Sequence, residues 1–197
     1  MNTFDFFLTH VRKRMPLLTV AEAEMMFASF REKRVKKRQL IVQPGFVARS
    51  RHLVVKGAFR AYVVDEKGED RTIQLAIDDW WITDYNSYVF QAPATMFVVA
   101  LEDSIILELG YEEEQSLKNS SRLVETFFRI KAERWAAFLQ RRIIAGLTQS
   151  AEERYLDFLE KYPLLVQRMP QYVLASYLGM TTEFLSKIRH HKLKKKS

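Results

Sequence analysis

The feature that most constrains this chain is a single change of hydrophobic period near residue 112. From Arg34 to Gly110, short β-branched and aromatic runs are separated by Pro44-Gly45, by Lys56-Gly57 and by the DEKGED stretch around Gly68. Strand-length runs at intervals of roughly 8–12 residues, split by turn residues, describe an all-β sandwich or barrel. The run AYVVDEKGEDRTIQLAI reads as a hairpin in which Gly68 supplies the positive φ of the turn. From about Glu112 the pattern turns helical and stays so. The stretch SLKNSSRLVETFFRIKAERWAAFLQRRIIAGL has no proline, and its only glycine is Gly146 near the end. Roughly thirty helical residues span about 45 Å, long for a chain of 197 residues. Leu117, Val124, Phe127, Phe128, Trp135 and Phe138 fall at three- and four-residue steps, with Leu139 beside them. These six are the expected interface of a homodimer built on the helix, although Lys131 and Arg134 interrupt the seam. The alternative is a helix packed only along its own barrel.

Other segments fall into place around this change. Residues 3–14 and 20–33 read as two short helices, the second opened by a capping box from Thr19 to Glu22. A further capping box, Ser150 to Glu153, starts a helix that ends at Pro163, and LLVQRM reads as a short strand or a link. The expected class is α+β, in three parts: residues 1–112 with the N-terminal helices and the β domain, 113–148 with the long helix, and 149–197 with a helical end.

Composition removes several functions. The chain has no cysteine, so disulfides, thiolate nucleophiles, Cys-ligated zinc and iron–sulfur clusters are excluded. The N-terminus is too soon charged for a signal peptide, and no run approaches 18 apolar residues, so the expected location is the cytoplasm, away from a membrane. The β segment offers only His52 and no His-x-His pair, which argues against a cupin-like metal enzyme. Gly-rich phosphate loops and Gly-x-Ser-x-Gly elbows are missing too, so no enzyme is expected. His10, His52, His190 and His191 are the only histidines, and none is a convincing haem ligand. The net charge is +7 and it is uneven. Beyond Pro163, Arg168, Lys187, Arg189, Lys192, Lys194, Lys195 and Lys196 stand against Glu183 alone, which puts six of the seven net charges there. A basic end on a near-neutral body points to an anionic partner such as nucleic acid.

That basic end carries the decisive motif. In a helix-turn-helix the first helix needs a small residue where the second crosses it, and the turn needs a residue tolerant of positive φ four positions later. Counting from Gln171, Ala175 is the small residue and Gly179 the turn residue. Leu174, Leu178, Met180, Leu185 and Ile188 take the apolar positions, Pro170 suits the start of the leading helix, and Thr181 is an N-cap for the second, with Glu183 near its positive end. Phe184, Leu185 and Ile188 are expected to point inward. Thr182, Glu183, Ser186, Lys187, Arg189 and His190 are left for a major groove. Helix 182–192 is the expected recognition helix. Arg168, Gln171 and Thr181, together with Lys192 to Lys196, add DNA-backbone contacts.

Small helices, a β domain, a long helix and a C-terminal helix-turn-helix together resemble the Crp/Fnr (cyclic AMP receptor / fumarate-nitrate regulator) family of bacterial transcription factors. HLVVKGAFRAYVVDEKGEDRTIQLAIDDWW is similar to that family's β-roll, a double-stranded β-helix or jelly roll of the cyclic-nucleotide-binding kind. LGMTTEFLSKIRH is similar to its recognition element, with Thr182, Glu183 and Lys187 where the cyclic AMP receptor carries Arg, Glu and Arg. The resemblance implies a dimeric regulator that binds double-stranded DNA at a palindromic operator, with RNA polymerase as a further partner. It also implies an effector site at Thr83, Asp84, Tyr85, Ala94, Thr95 and Arg134.

Departures from the family pattern are equally informative. Thr83-Asp84 stands where the family's phosphate-binding cassette has Gly-Glu, and Ala94-Thr95 stands where it has Arg-Ser or Arg-Thr. A buried phosphodiester needs a cation and backbone N–H groups, and that cation is missing. No cofactor is expected, and an effector, if used, is unknown and not cyclic AMP. Trp80, Trp81, Tyr85 and Phe97 are expected either to line a pocket or to fill the core. Relatives continue past the recognition helix into a β-wing, and the HHKLKKKS end is expected to replace that wing's phosphate contacts by flexible electrostatics. The competing function is a ligand-binding or scaffolding protein whose helical end binds another protein. The basic face of its last helix argues against that reading.

Overall fold

A computed structural model describes residues 2–194, with side chains through His191. Two short helices come first, α1 (Thr3–Arg12) and α2 (Val20–Phe27). Asn2 and Thr19 cap them through reciprocal capping boxes with Asp5 and Glu22. The β domain follows as β1 (Phe30–Val35), β2 (Leu40–Val42), β3 (Ser50–Lys56), β4 (Ala58–Val64), β5 (Asp70–Ile77) and β6 (Trp81–Ile82). A one-and-a-half-turn helix α3 (Tyr85–Phe90) leads into β7 (Phe97–Ala100) and β8 (Ser104–Gly110). All pairings are antiparallel, in two four-stranded sheets ordered β1-β8-β3-β6 and β2-β7-β4-β5. Apart from the β4–β5 hairpin, consecutive strands alternate between the two facing sheets, which makes a jelly-roll β-roll.

Two glycines are required by this geometry. Gly68 takes φ 77 in the β4–β5 hairpin, where its N–H donates to Asp65 O at 2.9 Å. Gly57, at φ 132, passes so close to β8 that a Cβ would lie 2.0 Å from Ser104 Oγ. Between the sheets lies a small-residue and branched core that includes Val54, Phe59, Ala61, Ile82, Val98 and Ile106.

Helices complete the chain: α4 (Tyr111–Ser120), α5 (Arg122–Thr148), α6 (Ala151–Lys161), α7 (Pro163–Arg168), α8 (Gln171–Leu178) and α9 (Thr182–Lys194). They build two further cores. One packs α1 and α2 against β3, β8, α4 and the first turns of α5, through Phe7, Leu53, Leu109, Leu117, Val124 and Phe127. The other seats α6 to α9 on Ala58, Leu75 and Ile77 of the β-roll, through Tyr155, Phe158, Leu165, Leu174 and Leu185. Each fully buried side chain of this size contributes about 1.5–3 kcal/mol.

Several expectations from the sequence are corrected here. Residues 30–33 are strand, because Phe30 and its neighbours pair with Leu109 and the rest of β8. The expected single long helix is two helices, broken at Ser121, whose extended backbone (φ −146, ψ 117) and side chain cap α5. LLVQRM lies mostly in α7, started by Pro163 at its first turn. Leu117, Val124, Phe127 and Phe128 are between 0% and 6% exposed within one copy of the chain, so they are core and not a dimer seam. Trp135 and Phe138 are part-buried and stack on each other at 5.3 Å.

Candidate nucleic-acid interface and effector pocket

The helix-turn-helix is built as its sequence demands. Ala175 is 1% exposed at the crossing of α8 and α9. Gly179 ends α8 at φ 69, ψ 41, and the Met180 N–H reaches back to Ala175 O at 3.0 Å. Thr181 Oγ1 then accepts from the Phe184 N–H at 3.2 Å, which starts α9. Leu174, Leu178, Leu185 and Ile188 are buried and Met180 is part-buried. Phe184 departs from expectation: it is 44% exposed, one position off the inward face. The outer face of α9 leaves Thr181, Glu183, Lys187 and His190 exposed, with Thr182, Ser186 and Arg189 at its margins.

In the β-roll, the loop expected to stand in the place of the phosphate cassette is closed on itself. Asp84 is fully buried and caps α3, accepting from the Ser87 N–H at 3.1 Å. Its other oxygen accepts the backbone N–H groups of Thr95 at 2.9 Å and Met96 at 3.1 Å. A carboxylate of the chain itself therefore occupies the cradle of backbone donors. Ala94 is buried with its N–H on Phe46 O at 2.9 Å, and Thr83 Oγ1 donates to Ser50 O at 2.8 Å.

Thr83, Tyr85 and Arg134 instead border a separate cavity of about 300 Å³ between the end of α1, the β5–β6 turn and α5. Trp80 and Trp81 line it, whereas Phe97 stacks on Tyr62 at 5.2 Å outside it. At its edge, Trp81 Nε1 donates to His10 Nε2 at 3.0 Å, so the His10 proton sits on Nδ1 and is donated to Asp79 Oδ1 at 2.5 Å. Burial outweighs that Asp79 bond and pushes the His10 pKa down to about 4. Burial opposes the Asp79 charge, but hydrogen bonds from His10 and Lys13 prevail and hold its carboxyl at about 2. Behind the cavity, buried Glu114 receives Arg51 at 3.1 Å, Tyr88 Oη at 2.8 Å and Lys118. Burial works to raise the Glu114 pKa, yet Arg51 and Lys118 overcome it and lower it.

No family model and no curated protein matches the chain. Solved structures do. The Thermus thermophilus catabolite activator protein is 21% identical, with 94% of this chain and 87% of that chain covered and a TM-score of 0.57. The c-di-GMP responsive global regulator CLP of Xanthomonas campestris is 13% identical over 90% and 93%, with a TM-score of 0.69. FixK2 from Bradyrhizobium japonicum is 16% identical over 84% and 85%, with a TM-score of 0.68. The chain has the Crp/Fnr fold.

Within the Crp/Fnr fold, some expected site residues hold the chain together instead. Arg168 lies at the end of α7 and pairs with Asp78 at 3.1 Å and with Glu102, so it ties the helix-turn-helix to the β-roll and is not a free phosphate ligand. Gln171 Nε2 is bonded to Ser186 Oγ at 2.5 Å, and Arg189 Nε to Tyr155 Oη at 3.1 Å. Lys192 to Ser197, expected to touch phosphates, lie outside the residues whose side chains are described. Arg142 was missed. From α5 it donates to Ile73 O and, at 3.2 Å each, to Thr72 O and Tyr177 O, clamping the β4–β5 hairpin to α8. Ser176 Oγ completes the joint, accepting the Thr72 N–H at 2.9 Å and donating to Asp70 O at 2.7 Å. No spacing in the sequence singles out Arg142 among its neighbours, because its partners are backbone carbonyls.

Proposed function

We propose that the chain is a sequence-specific DNA-binding transcriptional regulator, not an enzyme, that acts as a homodimer in the cytoplasm. The observation that carries this reading is the α8–α9 pair: every packing requirement of a helix-turn-helix is met while Thr181, Glu183, Lys187 and His190 stay exposed on one face. Those groups match the donors and acceptors of a major groove. Solved neighbours that are regulators support it. The three-part division at residues 112 and 148 belongs to the same proposal.

Support for a dimer comes from the second half of α5. Ala136, Gln140, Ile143 and Leu147 follow four-three-four spacing and are all exposed. Ile143 is 63%, Ile144 51% and Leu147 82% exposed, an apolar stripe of the kind a two-stranded coiled coil covers. Two copies joined there would present two α9 helices to a palindromic operator. No helix among the described residues is long and apolar enough to cross a membrane.

Cyclic AMP is not the effector in this reading, because Asp84 fills the donor cradle that a cyclic phosphate requires and would repel it. The test is a salt-titrated gel shift with an operator selected from random duplexes. The expected result is one saturable complex whose affinity falls steeply with salt. Equal binding to every duplex, or none at low salt, overturns the proposal.

A further inference from the structure

The cavity beside α5 has an unbalanced charge. Arg14, Arg51, Lys131 and Arg134 line it, and Asp79 is the only acid that does. Asp79 is already engaged by Lys13 at 2.7 Å and by His10. Among the described residues, Lys131 and Arg134 have no carboxylate within 4.0 Å. Arg14 reaches only the His10 carbonyl, at 3.4 Å. Arg51 is 8% exposed, and its Nε is buried without a partner. Arg51 has Glu114 behind it at 3.1 Å, so three cations, Arg14, Lys131 and Arg134, are left with one shared counter-charge, Asp79. Burial, and then Arg51 and Arg14, push the Lys131 pKa well below the ordinary lysine value, as expected of an ammonium that lacks its anion.

Aromatic groups make the walls. Trp81 lies under Arg51 and Lys131, each 4.7 Å from its ring centre. Trp135 and Phe138 stack at 5.3 Å and 21°, and Trp80 meets Tyr162 edge-on at 5.6 Å. A volume of about 300 Å³ suits a one- or two-ring molecule and not a dinucleotide. Phosphate recognition uses a cradle of backbone N–H groups. The cradle of this β-roll is filled by Asp84, and the cavity offers side-chain cations in its place.

We propose that this cavity is a binding site for a small planar aromatic carboxylate, its ring against the tryptophan walls and its charge on Lys131, Arg134 and Arg14. It shares Thr83 and Tyr85 with the cassette loop but leaves out the Asp84 cradle, and it recruits the end of α1, α5 and Tyr162 at the start of α7. Tyr162 belongs to the helical end, so an occupant touches the β-roll and the helix-turn-helix region together.

The test is direct binding to the full chain, by calorimetry and tryptophan fluorescence, with 4-hydroxybenzoate, benzoate, neutral benzamide and inorganic phosphate as probes. Because it reads binding to the protein alone, its failure is separate from failure of the DNA-binding reading. Aromatic carboxylates are expected to bind saturably at one site per chain, with benzamide weaker by about tenfold or more and no competition by phosphate. Lys131→Met and Arg134→Gln should each weaken 4-hydroxybenzoate by about tenfold, and Lys67→Gln in the distant hairpin should not. Arg134 is exposed, so its variant tests the charge without risk to folding. The proposal is overturned if no aromatic acid binds at millimolar concentration, if benzamide matches benzoate, if phosphate displaces the acid, or if Arg134→Gln binds as wild type does.

Discussion

Replacing Asp84 by alanine removes a carboxylate that holds the β-roll loop closed. Asp84 is 0% exposed and accepts three backbone N–H groups, those of Ser87, Thr95 and Met96. Loss of an N-cap costs about 1 kcal/mol. The other two bonds cost about 1 kcal/mol each and not more, since Thr95 is exposed and Met96 part-buried, so water can replace the lost acceptor. The expected destabilisation is about 3 kcal/mol, or about 6–12 °C in Tm for a chain of this size. Asp84→Asn keeps one acceptor oxygen, which can serve Ser87 or the Thr95–Met96 pair but not both, and should fall about midway. Urea titration followed by circular dichroism measures both. A loss below about 0.5 kcal/mol for Asp84→Ala would refute the claim that this carboxylate is the built-in ligand of the cradle. Micromolar cyclic AMP binding by the wild-type chain would refute its functional consequence.

Three further outcomes are expected. Lys187→Ala should weaken operator binding by about 1–3 kcal/mol and relax one base position in a gel shift; unchanged binding would mean that α9 meets DNA by another face. Leu147→Glu should shift the chain from dimer to monomer in analytical ultracentrifugation, while Phe127→Ala should instead cost about 3–5 kcal/mol of stability, and a Leu147→Glu chain that remains fully dimeric would exclude the seam. For pH, a base with a depressed folded pKa binds fewer protons folded than unfolded, so stability is complete above the unfolded value of 6.5 and is lost as pH falls toward about 4. His10→Gln should flatten that loss, about 3 kcal/mol at most, when tryptophan emission follows unfolding, and an equal slope in variant and wild type would contradict a His10 held neutral by burial.

Local rules made much of the fold legible. Gly68, Gly179 and the capping residues Thr19, Ser150 and Thr181 take the conformations and bonds that their spacing predicts. Alternation between short strands and turns was sufficient for an all-β sandwich or barrel, which the family resemblance narrowed to a β-roll, and the apolar positions of the helix-turn-helix were sufficient for α8 and α9. Less of the site was legible. Arg168 and Lys187 look alike as basic residues near a recognition helix, yet Arg168 meets Asp78 and Glu102 across the joint with the β-roll while Lys187 remains exposed. Phe127 and Ile143 look alike as apolar residues on one helix, yet α1 and α2 cover the first, while the second is left 63% exposed by the described residues.

The difference has one physical source. Periodicity, capping and turn chemistry act over a few residues, so the order of elements, an all-β domain and the helix-turn-helix follow from the chain read alone, while the β-roll came from the family resemblance. Which charges are paired, which apolar faces are free and where a cavity opens depend on contacts between residues far apart. Arg142 on the Thr72 carbonyl, Asp84 on the Thr95 amide and Lys131 over Trp81 join separate elements. The Arg142 and Lys131 contacts exist only once α5 has packed against the β-roll, and the Asp84 contact only once the β-roll loop has closed, because desolvation and hydrogen bonding depend on distance in space and not on separation along the chain.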